Sequence, residues 1–249
     1  MIFILQDKVF GEETDRLIAA LEDNGVEYHI GIPNSVYAGG YYFVRGSIEF
    51  YKEFDSSFGE YCDPESLCLG NYVFSKYSKH FGPRLLNDDY VILPWWKLYF
   101  SDSYLFPESE SLFIRPNSGE KIFTGTTLTK KWWKQELDII KNLPSTYGLT
   151  DETLVVVSTV KEIIAEYRIF MKRDKLIDFS IYEGDEISMG DAAALRFWAD
   201  SLDFYPDRYY TVDIAKTPKS YKLIEINSGI SAGWYDMDYN KIVEEIKSE

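Results

Sequence analysis

Tyr209-Tyr210-Thr211-Val212-Asp213-Ile214-Ala215 and Lys222-Leu223-Ile224-Glu225-Ile226-Asn227-Ser228, joined by Lys216-Thr217-Pro218-Lys219-Ser220-Tyr221, are the stretches that decide how this chain is read. Alternating apolar and polar residues on either side of a turn-forming Thr-Pro-Lys-Ser predict a β-hairpin. With the loop symmetric about Pro218, Asp213 faces Leu223 across the ladder and Glu225 is its diagonal neighbour. Asn227 follows on the same face, because strand side chains repeat every second residue. The opposite face takes Val212, Ile214, Ile224 and Ile226, and this fixes the register, since a slip of one residue would bury the carboxylates. Two carboxylates and an amide oxygen, with room for water and phosphate, suit Mg²⁺ and do not suit zinc or copper. An isolated Glu-Ile-Asn triplet also reads as a strand end carrying solvated polar groups. The paired Asp213 and the glycine-rich exit after Asn227 favour the metal reading.

Working outward, residues 154–160, 166–171 and 176–182 read as further strands, and 191–203 carries a helical stripe of Leu195, Trp198, Ala199 and Leu202. A short helix is expected at 238–247, and another at 129–142 with Thr129 as its N-cap and Trp133, Leu137 and Ile140 on one face. At the other end, a strand at 2–5, a helix at 12–24 stopped by Asn24-Gly25 and a strand at 28–32 form an α/β opening. In 39–93, Gly, Pro and aromatic residues interrupt every period and leave the topology open. The expected class is α+β, an α/β start followed by antiparallel strands interleaved with helices.

Composition bounds the function. The 249 residues are 45% hydrophobic and 27% charged, a globular balance with enough chain for one large core or two small lobes. The 17% of aromatic residues, including 20 tyrosines, is read chiefly as core and rim. A net charge of −15 with no Lys/Arg run disfavours nucleic acid as a partner and is compatible with a basic or amine-bearing one. Cys62 and Cys68 lack the four-ligand pattern of a structural zinc site and are read as reduced thiols. The Met-Ile-Phe-Ile-Leu-Gln-Asp start is too short and too soon charged for a signal peptide, no apolar run reaches membrane-spanning length, and the expected location is the cytoplasm. His29 and His80 have no Ser or Cys pattern beside them for a nucleophilic triad, and there is no Gly-x-x-x-x-Gly-Lys-Ser/Thr loop.

Asp213, a dozen residues, then Glu225-x-Asn227 and the small-residue loop Ser228-Gly229-Ile230-Ser231-Ala232-Gly233 resemble the metal-binding end of ATP-grasp enzymes. Upstream, Phe113-Ile114-Arg115-Pro116-Asn117-Ser118-Gly119-Glu120-Lys121 and Glu166-Tyr167-Arg168-Ile169-Phe170 resemble the short, often phage-associated clade of that superfamily named for two arginines and a lysine. The resemblance spans about residues 110–240. It implies a two-lobed architecture with the nucleotide between the lobes, organised as an N-terminal α/β unit at 1–90, which would carry substrate specificity, and an ATP-grasp-like domain at 91–249. The 228–240 loop would share in that specificity.

The implied cofactors are ATP and Mg²⁺, with Asp213, Glu225 and Asn227 as metal ligands. Arg115, Lys121 and Arg168 would contact phosphate, Arg115 and Arg168 acting in catalysis. Many ATP-grasp members have Lys where this chain has Arg115. Val157, Ser158 and Lys161 fall where the fold carries its adenine-contacting hinge, with a plain buried strand as the alternative. For Arg168 the competing reading is a structural pair with Glu166; for Lys121 it is an ordinary hairpin tip. Arg45 and Arg196 are further candidates for the site, although residues of their kind more often lie on the surface. The implied reaction joins a small-molecule or peptide carboxylate to an amine acceptor through an acyl phosphate. A phosphotransferase and a non-catalytic Mg-ATP-binding module are the alternatives.

Overall fold

The computed structural model describes residues 1–36, 41–61, 67–102, 104–144, 148–184 and 186–248. Strand β1 (Ile2–Leu5), helix α1 (Glu12–Asp23) and strand β2 (Tyr28–Ile30) form the expected α/β opening. In α1, Leu17, Ala20 and Leu21 are buried, while Glu12, Glu13 and Asp15 fill the first turn, where the helix dipole favours negative charge. Strand β3 (Tyr42–Arg45) and helix α2 (Ile48–Phe58) follow, α2 being capped by Ser47, whose hydroxyl accepts the Phe50 N–H at 3.1 Å. Helix α3 (Phe74–Phe81), strand β4 (Val91–Pro94) and helix α4 (Trp95–Leu98) lead to strands β5 (Ser111–Pro116) and β6 (Thr126–Thr129). Thr129 is thus the last residue of a strand, paired with Ser111, and not the N-cap of the following α-helix. A single turn of 3₁₀ helix intervenes before α5 (Trp133–Asn142), and Glu136 of α5 accepts the Thr129 N–H at 2.7 Å.

The rest of the chain follows the expected elements closely. Strands β7 (Leu154–Thr159), β8 (Ala165–Lys172) and β9 (Lys175–Glu183) precede helix α6 (Met189–Asp200). A reciprocal capping box between Ser188 and Asp191 starts α6 two residues ahead of its expected 191. Strands β10 (Tyr209–Lys216) and β11 (Tyr221–Ser228) are the hairpin, and α7 (Tyr239–Lys247), capped by Asp238, closes the chain. Between β10 and β11, the Thr217 N–H donates to the Ser220 carbonyl at 2.9 Å. Among the described residues three sheets form: a parallel one in the order β2-β1-β3 and two of four strands, β11-β10-β8-β9 and β4-β7-β5-β6.

Contacts group the chain into two compact units, each assembled from separated segments. The first comprises Met1–Cys68, Ile164–Lys216 and Glu225–Glu249; the second comprises Leu69–Ile163 and Thr217–Ile224. In the first, one apolar core joins β1 and β3 to α1, α2, α7 and the inner residues of β8 to β10, with Phe43 edge-on to Tyr209 at 5.4 Å and Phe170 edge-on to Trp234 at 5.3 Å. In the second, Trp95, Trp133, Leu137 and Ile140 close over β5 and β7, and the Trp133 indole N–H donates to the Leu98 carbonyl at 2.6 Å. Cys62 lies outside the described residues; Cys68 is an exposed free thiol.

Candidate functional site

Antiparallel pairing sets Arg168 of β8 directly across from Asp213 of β10. Opposed residues on neighbouring strands share a face, and the guanidinium meets the carboxylate with two parallel bonds, Nε to Oδ1 at 2.7 Å and Nη2 to Oδ2 at 2.6 Å. Both side chains are about 6% exposed, so the pair is shielded from solvent. Burial opposes the Arg168 charge, and the adjacent Asp213 more than offsets that, holding the proton more firmly than usual. Its remaining amino group donates to the Gly233 carbonyl at 3.0 Å and to the Tyr235 hydroxyl at 3.3 Å. The rings of Tyr235 and Tyr182 flank the guanidinium, their centroids 4.9 and 5.5 Å away. The expected competitor for Arg168, a pair with Glu166, is replaced by this pair with Asp213.

Glu225 and Asn227 reach the same cluster from β11. The Asn227 amide donates to Glu225 Oε1 at 2.7 Å and to Asp213 Oδ2 at 3.3 Å, so the three side chains assigned to a metal from the sequence lie together on one face. Glu166, two residues along from Arg168, joins them. Burial, with the charges of Asp213, Glu183 and Glu225, pushes its carboxyl up to about 7 against the opposing pull of Arg168. Ser180 and Thr211 stand beside the cluster, opposite Arg168 and Phe170 respectively, and their buried hydroxyls have no hydrogen-bond partner among the described residues. Unsatisfied polar atoms of this kind call for a polar ligand or water.

Asp213, Glu225 and Asn227 therefore fit a small, hard, oxygen-loving cation. Among the described residues no group of three or more His, Cys, Asp or Glu is arranged to hold a metal ion. The fit thus depends on the Asn227 amide oxygen and on oxygens brought by a ligand.

The loop after β11 is shaped to approach this face. Gly229 donates to the Tyr209 carbonyl at 3.0 Å, and a Cβ at Gly229 would lie 2.9 Å from both the Tyr209 carbonyl carbon and the Phe170 ring. Trp234 is pinned by its indole N–H on the Gly229 carbonyl at 3.0 Å and by its backbone N–H on Glu13 Oε2 at 2.8 Å. Arg45, expected more readily at the surface, is instead 3% exposed, stacked between the Phe10 and Trp234 rings at 3.7 and 4.3 Å and bonded to the Ile230 carbonyl at 2.8 Å. Burial pulls its guanidinium down to about 9, with Glu13 opposing, so it is charged at neutral pH. Glu13, Glu166, Tyr182 and Tyr235 are the additions the sequence did not assign to the site. Arg196 sits over the Phe179 ring on α6 and is exposed. Phe179 alternates with Ser180 along β9, which puts Arg196 on the face away from the cluster.

In the second unit, Arg115 of β5 is half-buried; its Nη1 lies 3.4 Å from the Ile224 carbonyl and its guanidinium 5.8 Å from the Phe74 ring centroid. Lys121 is exposed just beyond Gly119, which presses so close to Leu69 that a Cβ there would sit 2.0 Å from the Leu69 carbonyl oxygen. Val157 pairs with both Val91 and Ile114, and its side chain is in the core. Pairing with β4 ends at the Val91–Val157 pair, beyond which the Asp89 carboxylate accepts the Thr159 hydroxyl at 2.5 Å. Ser158 is fully buried with an unpartnered hydroxyl among the described residues, and Lys161 bonds Asp89 at 2.8 Å and the Thr159 hydroxyl at 2.6 Å.

The fold is that of ATP-grasp proteins. A family model for an ATP-grasp domain, the second family of its clade, matches residues 94–244, more than half of the sequence, and the chain belongs to that family. Among solved structures it is similar to the D-cycloserine synthetase DcsG (10% identity, TM-score 0.66, covering 100% of this chain and 99% of that one). It is also similar to a Bacillus anthracis D-alanine–D-alanine ligase complexed with ATP (14% identity, TM-score 0.62, 99% and 95% covered). A third is the ATP-grasp ligase PsnB complexed with a phosphomimetic variant of its minimal precursor, Mg and ADP (13% identity, TM-score 0.55, 99% and 96% covered). At these identities the likeness establishes the fold. No curated protein matches in sequence.

Proposed function

We propose that this protein is an ATP-dependent ligase that joins a carboxylate to an amine through an acyl phosphate. The observation that carries this reading is the convergence of Asp213, Glu225 and Asn227 on one strand face with a buried arginine, Arg168, among them. Asp213, Glu225 and the Asn227 oxygen would hold Mg²⁺, which when bound supplies charge neutralisation on the nucleotide phosphates. Arg168 and Arg115 would neutralise charge on the transferring phosphoryl group, with Lys121 adding a contact from its loop, since phosphoryl transfer is catalysed mainly by positioning and electrostatics. Val157, Ser158 and Lys161 would meet the adenine at the end of β7. Tyr182 and Tyr235 would keep water from the activated acyl group.

The substrate class is a small-molecule or peptide carboxylate with an amine acceptor, and residues 1–90 with the 228–240 loop are proposed to select it. Similarity to a D-alanine–D-alanine ligase and to a ligase complexed with a precursor peptide makes amino acids and short peptides the first acids to screen. Among the described residues no helix is long and apolar enough to cross a membrane, and a supply of ATP points to the cytoplasm as the working location. The test is ADP release in the presence of pooled acids and amines, with the product identified by mass. An amide that forms only when acid, amine and ATP are all present supports the ligase. A stable phosphorylated acid with no amide would assign a phosphotransferase, and ATP binding without turnover on any pool would assign a binding module.

A further inference from the structure

The groups assigned to the metal are already engaged, and by donors. Arg168 covers both oxygens of Asp213 at 2.6 and 2.7 Å, and Asn227 turns its NH₂ edge, not its oxygen, toward Glu225 and Asp213. A cation entering this cluster must take Asp213 from Arg168 and must have the Asn227 amide turned over. A guanidinium only 6% exposed would then be left beside a dication, its own carboxylate taken from it. A polyphosphate arriving with the metal supplies a replacement anion. The second amino group of Arg168, tied to Gly233 and Tyr235, gives the side chain a fixed pivot while the Asp213-facing edge changes partner.

From this geometry we propose that Arg168 is a stand-in for the metal: it occupies Asp213 in the free protein and keeps divalent cations out until they arrive with nucleotide. The inference rests on the metal-site reading above and assigns that site an order of binding. Arg168 is then both the residue that closes the empty site and, after exchanging partners, the one that holds phosphate.

Mn²⁺ is the probe, followed by its electron paramagnetic resonance signal without nucleotide and with ATP. Wild type is expected to bind Mn²⁺ with ATP and to bind Mn²⁺ alone about tenfold or more weakly than Arg168→Met and Arg168→Gln do, because only the variants relieve Asp213 of the guanidinium. Adding Asp213→Asn to Arg168→Met should abolish the gained binding. A second reading needs no variant to fold: in wild type the Arg168 Nε–H resonance should shift with Mg-ATP and stay in place with Mg²⁺ alone. Equal Mn²⁺ affinity of wild type and variants in the absence of ATP, or movement of the Nε–H signal with Mg²⁺ alone, overturns the stand-in while leaving the metal site intact. Failure of wild type to bind Mn²⁺ even with ATP overturns the metal site and the stand-in together.

Discussion

Glu166 shows how closely the charges of the site are balanced. Its folded pKa, raised to about 7 by burial and by Asp213, Glu183 and Glu225, lies above the usual carboxylate value. The stability it contributes is fully present below about pH 4.5, where both folded and unfolded chains are protonated, and is lost as pH rises through about 7. Glu166→Gln should therefore flatten the fall in melting temperature between pH 5 and 8 and melt above wild type at the upper end; an unchanged slope would remove Glu166 from the cluster. Glu225→Ala and Asn227→Ala should abolish metal-dependent nucleotide binding with an unaltered circular dichroism spectrum, and full Mg-ATP affinity in both would dismiss their assignment. These two residues and Asp213 were legible in the sequence because a hairpin is local: the alternation of one strand and a short loop put them on a common face. The partner of Arg168 was not, since β9 and α6 separate β8 from β10 along the chain and nothing in either strand alone states which residues oppose each other. Arg45 was named as a candidate, but its burial was hidden for the same reason, being created by Phe10 and Trp234 from opposite ends of the sequence.

Among the elements, those with a clean period were read within two or three residues, as with α6, which ends at Asp200 and leaves Leu202 of the expected stripe beyond it, and those whose ends are set by distant partners were not. The helix expected at 129 starts at Trp133 because Thr129 is claimed by its ladder partner Ser111. Helix α3 carries an ordinary buried stripe, Phe74, Tyr77, Ser78 and Phe81, but it is only 8 residues long and closely followed by Gly82-Pro83, which masked its spacing. Two tests belong to this scale. Trp133→Ala removes a fully buried ring and strands the Leu98 carbonyl, and should cost about 3–5 kcal/mol in urea unfolding; a loss under about 1 kcal/mol would contradict the packing described for the second unit. Gly119→Ala forces a Cβ against the Leu69 carbonyl, so the segment carrying Lys121 must shift. Nucleotide affinity should then fall while far-ultraviolet circular dichroism is unchanged, and an unaltered affinity would take Lys121 and its loop out of the site.

On the scale of the whole molecule, an α/β opening and strand-rich remainder were readable from periodicity, as was the α+β class. How the segments regroup was not, because strands far apart in sequence share sheets and the compact units are woven from separated stretches. Acidity bears on partners at this scale: on the proposed reading, a chain of net charge −15 would gain affinity for a polyanion such as ATP only where Mg²⁺ and a few arginines reverse the local field. Nucleotide binding should accordingly be strongly metal-dependent. The decisive measurement is calorimetric titration of ATP with and without Mg²⁺, on wild type and on Asp213→Asn. Wild type should bind only with Mg²⁺ present, and Asp213→Asn should not bind; equal binding with and without Mg²⁺, or an Asp213→Asn variant that binds Mg-ATP as wild type does, would contradict the metal-dependent site.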